Sequence, residues 1–170
     1  MDDLRELRER IWDLTRELDE SPAAERAPEF ETELQRLVDE LNERRREMGP
    51  EECVKAFCEA WSRRDIDELL SFFTDDALYH NMPIDPVQGT DGIRNMLNTF
   101  VPGAEKILFE IVHIASSGNV VHTERVDTFE MGEGKRMVLP VAGVFEMRDG
   151  KIAAWRDYFD MGAWTSQTSG

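Results

Sequence analysis

The chain has 170 residues, of which 41% are hydrophobic, and it carries a formal net charge of −16. This length is sufficient for one ordinary domain with a hydrophobic core and a smaller appendage, but not for two large domains. The negative charge argues against a nucleic-acid partner, because phosphate binding needs a clustered basic face.

Residues 1–48 are predicted to form a helical hairpin. Apolar residues recur there every three or four positions, first at Leu4, Leu7, Ile11, Leu14 and Leu18, then at Phe30, Leu34, Leu37, Val38 and Leu41. The stretch SPAAERAP at 21–28 separates the two helices, and GP at 49–50 ends the second. Each stripe is too narrow to form a domain core. The hairpin therefore either covers the rest of the chain or supplies an oligomer contact.

Targeting and metal signals are absent from the sequence pattern. The N-terminal stretch MDDLRELRER has no apolar signal core, and no run approaches membrane-spanning length. Cys53 and Cys58 lie five residues apart in a helical pattern, so neither a metal site nor a local disulfide is favoured. His80, His113 and His122 show no metal-ligand spacing. We expect a soluble cytoplasmic protein with reduced thiols.

Residues 49–170 are predicted to form an α+β domain. Helical spacing predicts helices over PEECVKAFCEAWSRRD, DIDELLSFF and TDGIRNMLNTFV, and a strand followed by a loop is predicted over ALYHNM and PIDPVQG. Four further strands are joined by the turns SSGN, GEGK and RDGK, and they cover KILFEIVHIAS, NVVHTERVDTFEM, RMVLPVAGVFEM and KIAAWRDYFDM. Helices followed by hairpins indicate a curved mixed or antiparallel sheet that wraps the helices as a cone.

Alternation along the strands groups the polar residues by face. Tyr79 and Asn81 point to one side of their strand, and Arg125 and Asp127 share a face of another. Asp157 is flanked on its own face by two large aromatic residues. An unpaired charge in such a setting is very costly, so Asp157 needs a partner. Arg125 is the natural candidate because its planar fork can hold two carboxylates.

An arginine between two aspartates has a chemical consequence. One cation for two carboxyl groups favours one ionised and one protonated group, a general base facing a general acid. Tyr79 and Asn81 add a hydroxyl and an amide that can orient a water molecule. This combination of an acid, a base and groups that orient water suits the addition of water to a strained bond. An ordinary ion pair between Arg125 and Asp127 is the other interpretation.

Four stretches resemble the limonene-1,2-epoxide hydrolase family, namely YHNMPIDPVQG, VVHTERVDTF, AGVF and GKIAAWRDYFDMGAW. The resemblance covers about residues 50–164, so the helical hairpin lies outside it. It implies a SnoaL-like cone, the fold also found in nuclear transport factor 2 and ketosteroid isomerase. It further implies an enzyme that uses no cofactor and no metal. We expect a homodimer formed through the open face of the sheet.

The resemblance also implies a role for each polar residue. Asp157 is the general base that deprotonates a water molecule held also by Tyr79 and Asn81. Asp127 is the general acid that protonates the epoxide oxygen, and Arg125 bridges the two carboxyl groups. The epoxide and water then give a vicinal diol in one step, without a covalent intermediate.

The sequence also gives candidate residues for the substrate pocket. They are Met82, Leu139, Val141, Trp155 and Phe159. Small residues in VLPVA suggest a roomy pocket and a bulky, terpenoid- or steroid-like apolar epoxide, although Pro140 is unexpected inside a strand. Two other functions remain open. One is an isomerase of the ketosteroid type, in which one aspartate moves a proton, and the other is a module that binds an apolar ligand without chemistry.

Overall fold

The computed structural model of the protein describes residues 2–20 and 28–168. The chain divides into two compact units, residues 1–48 and residues 49–170. Among the described residues, no helix is both long enough and apolar enough to cross a membrane. Most of the stretch SPAAERAP lies outside the described residues.

The first unit contains two helices with a small apolar cluster. The helices are α1 (Asp2–Glu20) and α2 (Pro28–Glu47). The cluster consists of the buried Leu7, Leu37 and Leu41, with Ile11 and Leu14 packed against them. Phe30, expected in the apolar stripe of α2, is 40% exposed because it lies outside this cluster.

The described part of the second unit contains four α-helices, and the first two of them begin with a capping side chain. They are α3 (Pro50–Ala60), followed by a 3-10 turn at Trp61–Arg63, then α4 (Ile66–Ser71), α5 (Gly89–Asn98) and α6 (Met161–Thr168). At the start of α3, the Glu52 carboxylate accepts a hydrogen bond from the Gly49 amide at 3.3 Å. Asp65 caps α4 by accepting from the Glu68 amide at 3.0 Å. The sequence did not predict α6, none of whose side chains is fully buried.

Six strands form one curled, unclosed sheet in the described part of the chain. They are β1 (Phe73–Asn81), β2 (Val87–Gln88), β3 (Ala104–Ser117), β4 (Val120–Met131), β5 (Arg136–Arg148) and β6 (Lys151–Tyr158). Their order is β2-β1-β6-β5-β4-β3, with β1 and β6 parallel and the other neighbours antiparallel. The predicted α+β class with a curved mixed sheet is confirmed.

An aromatic core joins α3 to the sheet. The Phe57 ring of α3 lies edge-on to five other rings at centroid distances of 5.1 to 6.1 Å, those of Trp61, Phe72, Phe73, Phe145 and Trp155. All six residues are at most 2% exposed. Edge-on aromatic pairs add about 0.5–1.5 kcal/mol each beyond the burial of their surface. Phe57 is therefore a central contact between α3 and the sheet.

Pro140 lies in β5 at a place where a strand donor is not needed. Among the described residues, β5 and β6 pair only from Ala142 opposite Tyr158 onward. On the N-terminal side of Ala142, the side chain of Gln167 in α6 lies along this edge of β5. Its Oε1 accepts from the Val138 amide at 2.9 Å, and its Nε2 donates to the Val138 carbonyl at 3.1 Å. Backbone groups two residues apart point the same way, so the missing N–H of Pro140 faces this edge.

We expect Phe57→Ala to lower the free energy of unfolding by about 3–5 kcal/mol, because loss of a fully buried ring leaves a cavity. Lys55→Ala, on the exposed side of the same helix, should change it by less than about 0.5 kcal/mol. Urea denaturation followed by tryptophan fluorescence measures both variants. A loss below about 1 kcal/mol for Phe57→Ala would contradict its central place in the core.

Candidate active site

Strand pairing places the polar residues of β1 and β6 side by side. The two strands run parallel, with Asn81 opposite Asp157 and Tyr79 opposite Trp155. The Tyr79 ring stacks on the Trp155 indole, with centroids 4.1 Å apart and planes 11° apart. The Asn81 amide Nδ2 donates to the Tyr79 hydroxyl oxygen at 2.9 Å. This register fixes a hydroxyl and an amide beside the Asp157 carboxyl group.

Arg125 joins carboxyl groups from two different strands. Its Nε donates to Asp127 Oδ1 at 3.1 Å, and its Nη2 donates to Asp127 Oδ2 at 3.0 Å, both on β4. Nη2 also donates to Asp157 Oδ2, on β6, at 2.7 Å. Charge-assisted hydrogen bonds of this kind are short and directional. The structure thus brings Arg125, Asp127 and Asp157 into one connected unit, with Tyr79 and Asn81 next to it.

The connected unit is almost completely removed from solvent. Arg125, Asp127 and Asp157 are 0%, 3% and 4% exposed. Burial disfavours a charged carboxyl group and raises the pKa of Asp127 to about 6, although Arg125 acts in the opposite direction. Burial also raises the pKa of Asp157, against the effects of Arg125 and of a hydrogen bond from Trp155. The pair of aspartates therefore keeps a proton at a pH at which an ordinary carboxyl group is already ionised.

Two neighbouring groups support Asp157 in different ways. The Trp155 indole Nε1 donates to Asp157 Oδ1 at 2.7 Å, so both carboxyl oxygens of Asp157 accept an N–H group. Burial raises the pKa of Tyr79, and its hydroxyl group therefore keeps its proton. Asp157 thus combines a fixed orientation with a neutral hydroxyl donor nearby.

A cavity of about 240 Å³ opens onto the carboxyl groups. Asp127, Asp157, Tyr79 and Asn81 contribute to its wall, whereas Arg125 lies behind the carboxyl groups and is not part of the wall. The remaining wall is apolar except for Thr99, and it includes Trp61, Met96, Phe100, Phe109, Phe129 and Trp164. A molecule in the cavity would therefore meet two carboxyl groups, a phenol hydroxyl and an amide at one part of a mainly apolar wall.

The candidate pocket residues divide into two groups. Leu139, Val141 and Phe159 line the cavity. Met82 and Trp155 do not line it. Met82 follows the last residue of β1 and is 39% exposed, because strand alternation no longer orients it there. Trp155 is buried between the rings of Tyr79 and Phe145, from where it contacts Asp157.

Strand alternation missed the part of the wall that comes from helices. Met96 and Trp164 lie on α5 and α6, and Phe100 follows α5. Their place in the wall depends on how the helices pack on the sheet, for which a single sequence carries no signal. The N–H donor of Trp155 could have been found, because it shares a strand face with Asp157 two residues later.

Comparisons with known proteins match this architecture. Residues 48–169 match the family model of the limonene-1,2-epoxide hydrolase catalytic domain. The epoxide hydrolase EphG of Mycobacterium tuberculosis is 34% identical over 108 residues, 64% of this chain and 71% of EphG. A solved M. tuberculosis LEH-like epoxide hydrolase is 31% identical, with a TM-score of 0.62 over 69% of this chain and 87% of that chain. Bal32a, from a soil-derived mobile gene cassette, shares the fold at 22% identity, with a TM-score of 0.60 over 69% of this chain and 94% of Bal32a.

The curled six-stranded sheet with its helices has the fold that is also found in solved SnoaL-like proteins. The match to the catalytic-domain model covers most of the chain. The chain belongs to the limonene-1,2-epoxide hydrolase family, a family of epoxide hydrolases.

We expect Trp155→Phe to raise the pKa of Asp157, because the lost indole N–H stabilises its ionised form. A ¹³C NMR titration of the aspartate side-chain carbons measures this shift directly. Trp61→Phe is a matched control, since the buried Trp61 Nε1 has no hydrogen-bond partner among the described residues. Equal Asp157 titrations in the two variants would contradict a specific effect of the Trp155 hydrogen bond.

Proposed function

We propose that this protein hydrolyses an apolar epoxide to a vicinal diol through acid and base catalysis by two aspartates. The observation that carries the proposal is the bridge from Arg125 to both Asp127 and Asp157 at the wall of an apolar cavity. One cation between two carboxyl groups favours one ionised and one protonated group. Membership of an epoxide hydrolase family supports the reaction class.

Asp157 is the general base in this mechanism. Both of its oxygens accept N–H groups at 2.7 Å, and these bonds stabilise its negative charge. A water molecule held by Asp157, Tyr79 and Asn81 gives a proton to Asp157 while its oxygen attacks an epoxide carbon. The hydroxyl and amide restrict the orientation of this water, which lowers the entropic cost of the attack.

Asp127 is the general acid. Its raised pKa keeps a proton on the carboxyl group above the pH at which an ordinary aspartate is ionised. As the epoxide C–O bond breaks, the bonding electron pair stays on oxygen, which takes the proton from Asp127. One C–O bond forms to the water oxygen, and no bond forms to the protein. The proton then passes from Asp157 back to Asp127, which restores the starting state.

The cavity favours a substrate of moderate size. Sites that hold drug-sized molecules enclose roughly 300–1,000 Å³, and the cavity of about 240 Å³ lies below that range. Burial of hydrocarbon against the apolar wall contributes favourably to binding. The epoxide oxygen can accept one proton from Asp127. We therefore favour an epoxide on a compact hydrocarbon frame of terpenoid size over one of steroid size.

We expect the wild-type protein to form diol from limonene oxide faster than from a steroid epoxide, because the smaller frame suits the cavity volume. Asp157→Asn should lower kcat by about 10²–10⁴-fold, since it removes the general base. In a single turnover in H₂¹⁸O, the diol should carry ¹⁸O, because the attacking oxygen comes from water. Product analysis by mass spectrometry measures all three results.

Asp85→Asn is a matched control, because Asp85 lies in an exposed loop and should keep full activity. First-turnover diol without ¹⁸O would contradict direct attack by water and indicate a covalent ester. A folded protein that forms no diol from any epoxide would contradict the proposal. In that case, proton exchange on a ketosteroid would favour an isomerase, and ligand binding without reaction would favour a binding module.

The pH profile of kcat/KM should be bell-shaped, because the mechanism needs Asp127 protonated and Asp157 ionised in the free protein. Asp127 loses its proton as the pH rises through its pKa of about 6. Activity should therefore fall on the alkaline side near pH 6, instead of near pH 4 as for an ordinary carboxyl group. At low pH, protonation of Asp157 removes the base. Steady-state kinetics with circular dichroism at each pH test this, and a flat profile in folded protein would contradict the acid and base roles.

A further inference from the structure

Gly143 lies directly between the two strands that the active unit connects. Its Cα pairs with Thr123 of β4 on one side and with Asp157 of β6 on the other. Neighbouring strands are about 4.8 Å apart, so β4 and β6 lie roughly 10 Å apart here. Arg125, on β4, must therefore pass over β5 to reach Asp157.

The space above Gly143 is already occupied by the active unit. A Cβ atom at this position would lie 2.3 Å from Arg125 Nη1, 2.7 Å from Thr123 Oγ1 and 2.9 Å from Asp157 Oδ1. Such separations are shorter than non-bonded contacts to carbon, whose optimum is about 3.5–4.0 Å. A side chain on residue 143 would therefore compete with the guanidinium and with the Asp157 carboxyl group for the same volume.

Thr123 holds the third nitrogen of the guanidinium. Arg125 Nη1 donates to Thr123 Oγ1 at 3.1 Å, while Nε and Nη2 serve the two carboxyl groups. Thr123 is 5% exposed, so a lost bond there would not be replaced readily by water. The rings of Phe109 and Phe145 lie 5.0 and 5.7 Å from Arg125 Cζ. The guanidinium is thus fixed on its edges and against aromatic rings.

We propose that Thr123 and Gly143 are positioning residues that form a guanidinium support, which lets a single Arg125 contact both catalytic carboxyl groups at once. Gly143 leaves the path across β5 open, and Thr123 sets the rotation of the guanidinium within that path. Neither residue lines the cavity. The catalytic part of this inference rests on the proposed function.

The guanidinium support acts on Asp157 more than on Asp127. Asp127 lies two residues from Arg125 on the same strand, and it accepts two hydrogen bonds from that arginine. Asp157 accepts only one hydrogen bond from Arg125, from across β5. A displaced guanidinium would therefore keep its hydrogen bonds to Asp127 and lose the one to Asp157.

Cys58 on α3 also lies within electrostatic range of the guanidinium. Burial raises the pKa of its thiol to about 12, so the thiol stays neutral.

The first test is Gly143→Ala. We expect kcat for diol formation to fall at least tenfold with KM within twofold, because neither Gly143 nor Arg125 lines the cavity. In a ¹³C NMR titration, the pKa of Asp157 should rise because its cationic partner is displaced, while Asp127 stays bound to Arg125. Gly103→Ala is a matched control, since its Cβ would make only ordinary contacts at 3.6 and 3.7 Å. A Gly143→Ala protein with wild-type kcat and Asp157 titration would overturn the proposal.

The second test uses Thr123→Val and Thr123→Ser. Valine keeps the shape but removes the acceptor for Nη1, whereas serine keeps the hydroxyl. We expect Thr123→Val to lower kcat about tenfold and to raise the Asp157 pKa, and we expect Thr123→Ser to restore both toward wild type. Equal behaviour of the two variants would overturn the role of Thr123.

The two Thr123 variants also decide the proposal if Gly143→Ala does not fold. The NMR titration separates this inference from the proposed function. If wild-type protein forms no diol but Asp157 titrates as expected in the variants, the epoxide hydrolase proposal fails while the guanidinium support stands.

Discussion

A buried arginine shared by two carboxyl groups is the interaction on which the rest of the active domain depends. Burying ionised groups costs several kcal/mol per ion, and their attraction offsets this cost only when the hydrogen bonding is complete. Each of the three guanidinium nitrogens of Arg125 donates to an acceptor, and aromatic rings lie beside it. Removing one carboxyl group would leave guanidinium N–H groups buried without an acceptor. The surroundings of Arg125 are therefore arranged as a set in which each member needs the others.

The sheet topology explains how this set comes from distant parts of the chain. Arg125 and Asp157 are separated by a whole strand, so their contact requires both the curl of the sheet and the absence of a side chain at Gly143. The parallel pairing of β1 and β6 then adds Tyr79 and Asn81 from the start of the domain. A shift of one residue in that pairing would turn both side chains to the other face of the sheet. The aromatic stack of Tyr79 on Trp155 opposes such a shift.

The parts of the site that depend on local periodicity could be predicted from the sequence. Alternation along a strand is enough to put Arg125 and Asp127 on one face, and turn residues are enough to predict the hairpins that carry them. The wall from α5 and α6 could not be predicted, because helix packing on a sheet depends on residues distant in the sequence. The edge of β5 shows the same limit. Pro140 is unexpected in a strand by sequence alone, but in the folded protein Gln167 bonds to the backbone of Val138 on the edge that Pro140 faces.

The proposed division between acid and base follows from an asymmetry in the surroundings of the two aspartates. Asp157 accepts hydrogen bonds from two different residues, the cation Arg125 and Trp155, each at 2.7 Å, and it lies beside a neutral hydroxyl and an amide. In the described part of the chain, Asp127 accepts hydrogen bonds only from Arg125, at 3.0 and 3.1 Å. The number of donor contacts is therefore equal, but the shorter contacts at Asp157 favour its ionised form more strongly. The negative charge is therefore held better at Asp157 and the shared proton at Asp127, so the water-activating group and the proton donor are already distinct before a substrate enters the cavity.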